Sequence, residues 1–148
     1  MSNPLEVPRE VTLQVRDQCL CLHAQRAARA LARRFDAAFR PLGLTNGQFS
    51  LMMALNRPDP PSIGSVAAFL AMDRTSLTAA LKPLQRRGLV TVTPAEPDRR
   101  SRVMALTPAG RGLLARALPV WAAVHAEVER RLPAGAADAL RAALNAVT

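Results

Sequence analysis

The sequence predicts a mainly α-helical chain carrying one small β-hairpin, an α+β arrangement with helices on both sides of the hairpin. Three observations predict it. Apolar residues recur every three or four positions over long stretches, the spacing of amphipathic helices. Only two short β-branched runs, 89–93 and 102–106, interrupt that rhythm. Hydrophobic residues fill 49% of the 148 positions, enough for a packed core and too many for wholesale disorder.

From Val11 to Phe39 the residues Leu20, Ala24, Ala27, Leu31, Phe35 and Phe39 form one apolar stripe, predicting a single long helix with Arg26, Arg29, Arg33 and Arg34 on its other face. Pro41 and Gly43 end it. Thr45, with Gln48 three residues on, forms a capping box for a second helix through Leu51 to Asn56. Arg57-Pro58-Asp59-Pro60-Pro61 is a stiff, non-helical linker. Ser62 caps a short helix, Ile63 to Leu70, and Asp73 caps another, Arg74 to Arg87, closed by Gly88. The tight turn between these two makes a helix-turn-helix. Pro83, inside the second of them, predicts a local distortion.

Leu89-Val90-Thr91-Val92-Thr93 and Arg102-Val103-Met104-Ala105-Leu106 flank a polar turn, 94–101, and read as a hairpin with a basic tip. The whole is a winged helix-turn-helix. Thr107-Pro108 restarts a helix whose stripe is Leu114, Leu118, Trp121, Val124, Val128 and Leu132, with a kink expected at Pro119. After Pro133-Ala134-Gly135 a last helix carries Leu140, Leu144 and Val147. The chain is expected to be one domain, 1–148, with a winged lobe at 45–106 and dimerisation helices at 11–40 and 107–148. The terminal helices carry more apolar surface than one thin lobe covers, so a homodimer is expected.

Twenty basic residues stand against eleven acidic, a net charge of +9, and Lys82 is the one lysine among nineteen arginines. Such an excess points to a polyanion, either nucleic acid or an anionic membrane surface. The basic residues are spread over several helices rather than along one amphipathic anchor, which disfavours the membrane. An aromatic fraction of 3% disfavours a single-strand reader built on stacking. No apolar run reaches the ~18–20 residues of a membrane span, and Met1 to Arg16 lacks the apolar core of a secretory signal. With two neighbouring cysteines and no disulfide framework, a cytoplasmic location is expected. No phosphate loop, metal triad, carboxylate pair or nucleophilic set can be assembled, so no enzymatic activity is expected. His23 and His125 lie far apart with no zinc spacing, so neither metal nor cofactor is expected.

The first turns of a helix in the major groove reach base edges first. That places Arg74, Thr75, Ser76 and Thr78 as base readers and Lys82 as a phosphate contact, against the plainer alternative that the hydroxyls only cap the helix. At the hairpin tip, Arg99, Arg100 and Arg102 suit a narrow minor groove, with Asp98 orienting them by ion pairing; a solvated charged loop is the alternative. From Asp73 to Arg116 there are nine basic and three acidic residues. The expected partner is double-stranded DNA, bound specifically. A non-specific architectural DNA binder is the alternative, separated by its ratio of specific to non-specific affinity.

Three stretches resemble the multiple-antibiotic-resistance regulator (MarR) family of bacterial transcription factors: Gly43-Leu44-Thr45-Asn46-Gly47-Gln48-Phe49; Asp73-Arg74-Thr75-Ser76-Leu77-Thr78 with Leu81-Lys82-Pro83-Leu84 and Arg87-Gly88-Leu89-Val90; and Asp98-Arg99-Arg100-Ser101-Arg102 with Leu106-Thr107 and Gly110. The resemblance runs from about Val11 to the C-terminus. It implies a triangular homodimer with interlocked terminal helices, each subunit presenting a winged helix to half of a roughly palindromic operator. It also implies repression relieved by a small-molecule effector or by an oxidant, and Arg100 as the minor-groove residue.

Cys21 falls where the organic-hydroperoxide (OhrR) branch of that family places its reactive cysteine, but its two supporting tyrosines fall at Phe35 and Asn46 here. Cys19 and Cys21 are therefore open to three readings: small apolar residues, a redox sensor, or a metal or metalloid site shared across a dimer axis. An effector pocket is expected between the first, second and fifth helices, lined by Phe35, Phe39, Phe49 and Met53.

Overall fold

The computed structural model describes residues 6–148; the first five residues of the expected 1–148 domain lie outside the described residues. In chain order the elements are α1 (Arg9–Gln18), α2 (Leu20–Phe39), a 3-10 turn (Arg40–Leu42), α3 (Asn46–Leu55), α4 (Ile63–Phe69), α5 (Arg74–Arg86), β1 (Val90–Pro94), β2 (Arg102–Leu106), α6 (Pro108–Arg130) and α7 (Ala136–Ala146). Among the described residues, seven α-helices and one antiparallel hairpin make a winged helix-turn-helix, the fold class expected from the sequence, with one α-helix more than expected.

The caps fall where the sequence puts them because each has a side-chain oxygen three residues before an orphan N–H. Thr45 Oγ1 accepts from Gln48 N while Gln48 Oε1 accepts from Thr45 N, closing the capping box. Ser62, Asp73 and Thr107 accept from Ser65, Ser76 and Gly110. Pro83 and Pro119 lie inside α5 and α6 without ending either helix.

One expectation fails. The long first helix is two helices, because Cys19 adopts an extended conformation (φ −70°, ψ 109°) and becomes the N-cap of α2. Its Sγ accepts from Leu22 N at 3.4 Å. The apolar periodicity continues across the break, so spacing alone cannot reveal it. Val147, assigned to the last helix, stands just beyond it as the C-cap of α7.

The core gathers Phe35, Phe39, Phe49, Met52, Leu77, Leu81, Leu84 and Met104 with smaller neighbours from α2, α3, α5, the hairpin and α6. Leu77, Leu81 and Leu84 follow the helical period and are essentially inaccessible to solvent. Each such burial stabilises the fold by about 1.5–3 kcal/mol, and together they fix which face of α5 looks outward. The hairpin pairs Val90 with Leu106 through Pro94 with Arg102. Beside β2, Ser62 bridges Val103, and Met104 N donates to Pro61 O at 3.0 Å. The end of the linker is thus tied to β2 by one isolated bridge and one backbone hydrogen bond, joining the wing to the start of α4. At the wing's base, Thr107 Oγ1 donates to Gly88 O at 2.6 Å and Thr107 N to Leu89 O at 3.0 Å. Gly110 allows this close approach, since a side-chain carbon there would overlap the Leu89 carbonyl.

α1 and α7 bury no residue against the rest of the chain. Val15, Leu20, Leu118, Leu140 and Leu144 all remain exposed. Among the described residues no helix is long and apolar enough to cross a membrane.

Candidate nucleic-acid interface

With Leu77, Leu81 and Leu84 turned inward, the geometry of α5 sends Arg74, Thr75, Ser76, Thr78 and Lys82 to solvent, and all five are exposed. Arg74, Thr78 and Lys82 are spaced four apart and share one stripe. The Asp73 cap anchors their first turn. Its carboxylate accepts from Ser76 N and Ser76 Oγ, each at 2.7 Å. The backbone N–H of Ser76, then its hydroxyl, hold the Asp73 carboxyl below its ordinary range. The hydroxyl proton of Ser76 is therefore committed to the cap, and only its lone pairs face outward.

Within the wing, Ala95 N donates to Ser101 O at 2.8 Å, closing the loop. Contrary to the ion pairing expected from the sequence, Asp98 does not pair with the wing guanidinium groups. It accepts instead from Arg100 N at 3.1 Å and Ser101 Oγ at 3.3 Å, because a carboxylate at a turn reaches the backbone two residues on most easily. Arg99 pairs with Glu96 at 3.3 Å. Among the described residues Arg74, Lys82, Arg100 and Arg102 form no ion pair, so their charge is directed outward.

These groups converge. A concavity of about 480 Å³ is lined by Ser62, Ile63 and Gly64 at the start of α4, Arg74 and Thr78 of α5, and Arg100, Ser101 and Arg102 of the wing. Three guanidinium groups around one opening, two hydroxyl-bearing walls and no acidic lining residue suit a polyanionic strand whose phosphates meet the wing and whose base edges meet α5. The sequence marks Ser62 only as a helix cap and Ser101 only as part of the wing turn, and it gives Gly64 no role. The signal available for Gly64 was a glycine inside a short helix beside the linker.

The cysteines lie far from this surface along the chain. Cys19 is partly buried at the helix break, and Cys21 is exposed in the first turn of α2, accepting from Gln25 Nε2 at 3.4 Å. Among the described residues no group of three or more His, Cys, Asp or Glu side chains is arranged to hold a metal.

A larger cavity, about 640 Å³, opens between α3, α4 and α6. Its walls include Phe49, Met53, Phe69, Leu118 and Trp121, with Arg57 and two serines as polar groups. Of the four residues expected around a pocket, Phe49 and Met53 are among its walls. Phe35 and Phe39 are not: they belong to the core, where Phe39 stacks on Phe49 at 4.8 Å. The cavity is bounded by α4 rather than by the long N-terminal helix, because Phe35 and Phe39 fill the space beside α2 themselves.

Residues 42–101 match the model of the MarR family. The transcriptional activatory protein BadR of Rhodopseudomonas palustris is 39% identical over 72 residues, which are 47% of this chain and 41% of that protein's length. The chain thus spans less than half of that relative. The M. tuberculosis transcriptional regulator MosR, solved in complex with DNA, is 35% identical, with a TM-score of 0.80 over 88% of this chain and 93% of that one. The transcriptional repressor CouR, solved on a 23-mer DNA duplex, is 29% identical, with a TM-score of 0.79 over 96% of this chain and 98% of that one.

Proposed function

Because the chain belongs to the MarR family, we propose that it is a homodimeric, sequence-specific transcriptional regulator in the cytoplasm, and not an enzyme. α5 enters the major groove, where Arg74, Thr75, Ser76 and Thr78 face base edges and Lys82 a phosphate. The wing follows the adjacent minor groove with Arg100, while Arg99 and Arg102 meet the backbone and Asp98 holds the tip in shape. The observation that carries this reading is the shared concavity of Arg74, Thr78, Arg100 and Arg102. α1, α7 and the outer part of α6 supply the dimer interface, supported by the apolar side chains they leave uncovered. Two copies then meet two half-sites of a pseudo-palindromic operator.

The apolar cavity between α3, α4 and α6 takes the small-molecule effector. Phe49, Met53, Phe69 and Trp121 supply apolar walls, and Arg57 supplies one cationic group at the edge. Because its walls join the helix-turn-helix to the long α6, a ligand there changes the spacing of the two lobes and relieves repression. A second route is favoured by one observation: Cys19 and Cys21 stand at a helix break and in the turn after it, not within a continuous helix. Oxidation of thiols at that point disturbs the start of α2 directly.

The test is sequencing of sheared genomic DNA captured by the purified, reduced protein. Discrete palindromic peaks are expected, lost when the matching effector or oxidant is added. Diffuse capture without a motif would replace this reading with a non-specific architectural DNA binder.

A further inference from the structure

Gly64 is the second residue of α4, and its backbone gives no reason for glycine, since the positive-φ glycines are Gly43, Gly88 and Gly135. Glycine weakens a helix relative to alanine because it loses more freedom on folding. Its reason lies in its surroundings. A side-chain carbon built on Gly64 would stand 2.8 Å from Arg74 Nη2, 3.4 Å from Cζ and 3.7 Å from Nε. The guanidinium of the first residue of α5 thus rests against the bare backbone of α4, on the wall of the concavity it shares with Arg100 and Arg102.

We propose that Gly64 is a specificity-determining positioning residue: its missing side chain is the seat that holds the Arg74 guanidinium ready for bidentate recognition of a guanine edge. The inference rests on the DNA-reading function proposed above and adds a residue that acts through Arg74 without touching DNA. The fork of an arginine discriminates between bases only if its plane is set. An arginine ordered before binding loses less rotamer freedom when the base arrives. The packing is selective in its consequence. Arg74 is exposed, so a methyl group at position 64 displaces its guanidinium toward solvent without disturbing the core.

The experiment uses the full chain and a duplex carrying its preferred site, with each base pair varied in turn, and reads binding by fluorescence anisotropy. Gly64→Ala is expected to melt at the same temperature as the native protein or higher, yet to lose about tenfold in discrimination at one base pair. Arg74→Ala should lose discrimination at that same pair, and the double variant should be no worse than Arg74→Ala alone, the signature of two residues acting as one unit. Arg74→Lys, which keeps the charge without the planar fork, should lose it too. Retained discrimination in Gly64→Ala or in Arg74→Lys, a loss at a different base pair, or fully additive losses would overturn the role of Gly64 while leaving the regulator intact. Absence of any preferred site in the native protein would remove the proposed function, and this inference with it.

Discussion

The Arg87 guanidinium donates to the carbonyl of Gly43 at 2.6 Å, across 44 positions of sequence. Gly43 closes the turn at the foot of α2 with φ 67°, and Arg87 is the C-cap of α5. A side-chain carbon on Gly43 would sit 3.2 Å from Arg87 Nη2, so the glycine serves both the positive φ and the approach of the arginine. The end of α5 is thereby fastened to the foot of α2, the helix that leads into the terminal, uncovered part of the molecule.

Arg87→Ala should therefore destabilise the fold by about 1 kcal/mol, the net worth of one such hydrogen bond at the surface. Urea midpoints of the two proteins measure it. Arg87→Lys should recover only part of the loss, since an ammonium on a flexible stem lacks the preset fork. Equal midpoints for Ala and the native residue would mean the bond contributes nothing.

Asp73 gives the stability a pH dependence of known sign. The Ser76 backbone N–H, and secondarily its hydroxyl, hold the carboxyl below its ordinary value in the folded chain. A depressed pKa stabilises the fold above the unfolded value, about 3.9, and that contribution disappears as pH falls through the folded value. Melting temperatures taken from pH 6 down to 3 should fall less steeply for Asp73→Asn, which caps without ionising. Parallel profiles for the two proteins would show that Asp73 has no part in the acid sensitivity.

The caps and the outward stripe of α5 were legible because each rests on local chemistry. Thr45 with Gln48, and Asp73 before Arg74, declare themselves by residue type and spacing over a single turn. The break at Cys19 was not legible: a cysteine is an unusual cap, and the apolar period runs through it unaltered. Asp98 was assigned the nearest opposite charge, but turn geometry brought it the Arg100 amide first. Phe35 and Phe39 were placed in a pocket because aromatic residues serve pockets and cores alike, and only three-dimensional packing separates the two uses. Gly64 could not be connected with Arg74 from sequence, since their meeting depends on the angle between α4 and α5.

Cys19 caps α2 through a weak sulfur acceptor, so Cys19→Ser supplies a better one at the same position. That variant should be as stable as the native protein or more so, whereas Cys19→Ala should lose roughly 0.5 kcal/mol, the low end for a lost cap. Thermal melts separate the three. Cys21→Ser should bind DNA normally when reduced and no longer release it on peroxide treatment. Release that persists in Cys21→Ser would exclude Cys21 as the thiol that responds.

Arg100 and Lys82 are both exposed and cationic, yet they should differ in what their loss does. The wing hydrogen bonds at Asp98 and Ala95 use backbone groups, so Arg100→Ala keeps the loop and removes only the guanidinium. Each variant should lower the slope of log K against log salt by about 1, the loss of one cation from the phosphate field. Lys82→Ala should weaken every duplex alike, as a phosphate contact does. Arg100→Ala should weaken sites flanked by A·T pairs more than those flanked by G·C, because a narrow minor groove has the stronger negative potential and rewards an inserted arginine. Binding isotherms at three salt concentrations on both kinds of flank decide the matter. Equal losses on the two flanks would make Arg100 a second phosphate contact and leave the wing with no part in reading sequence.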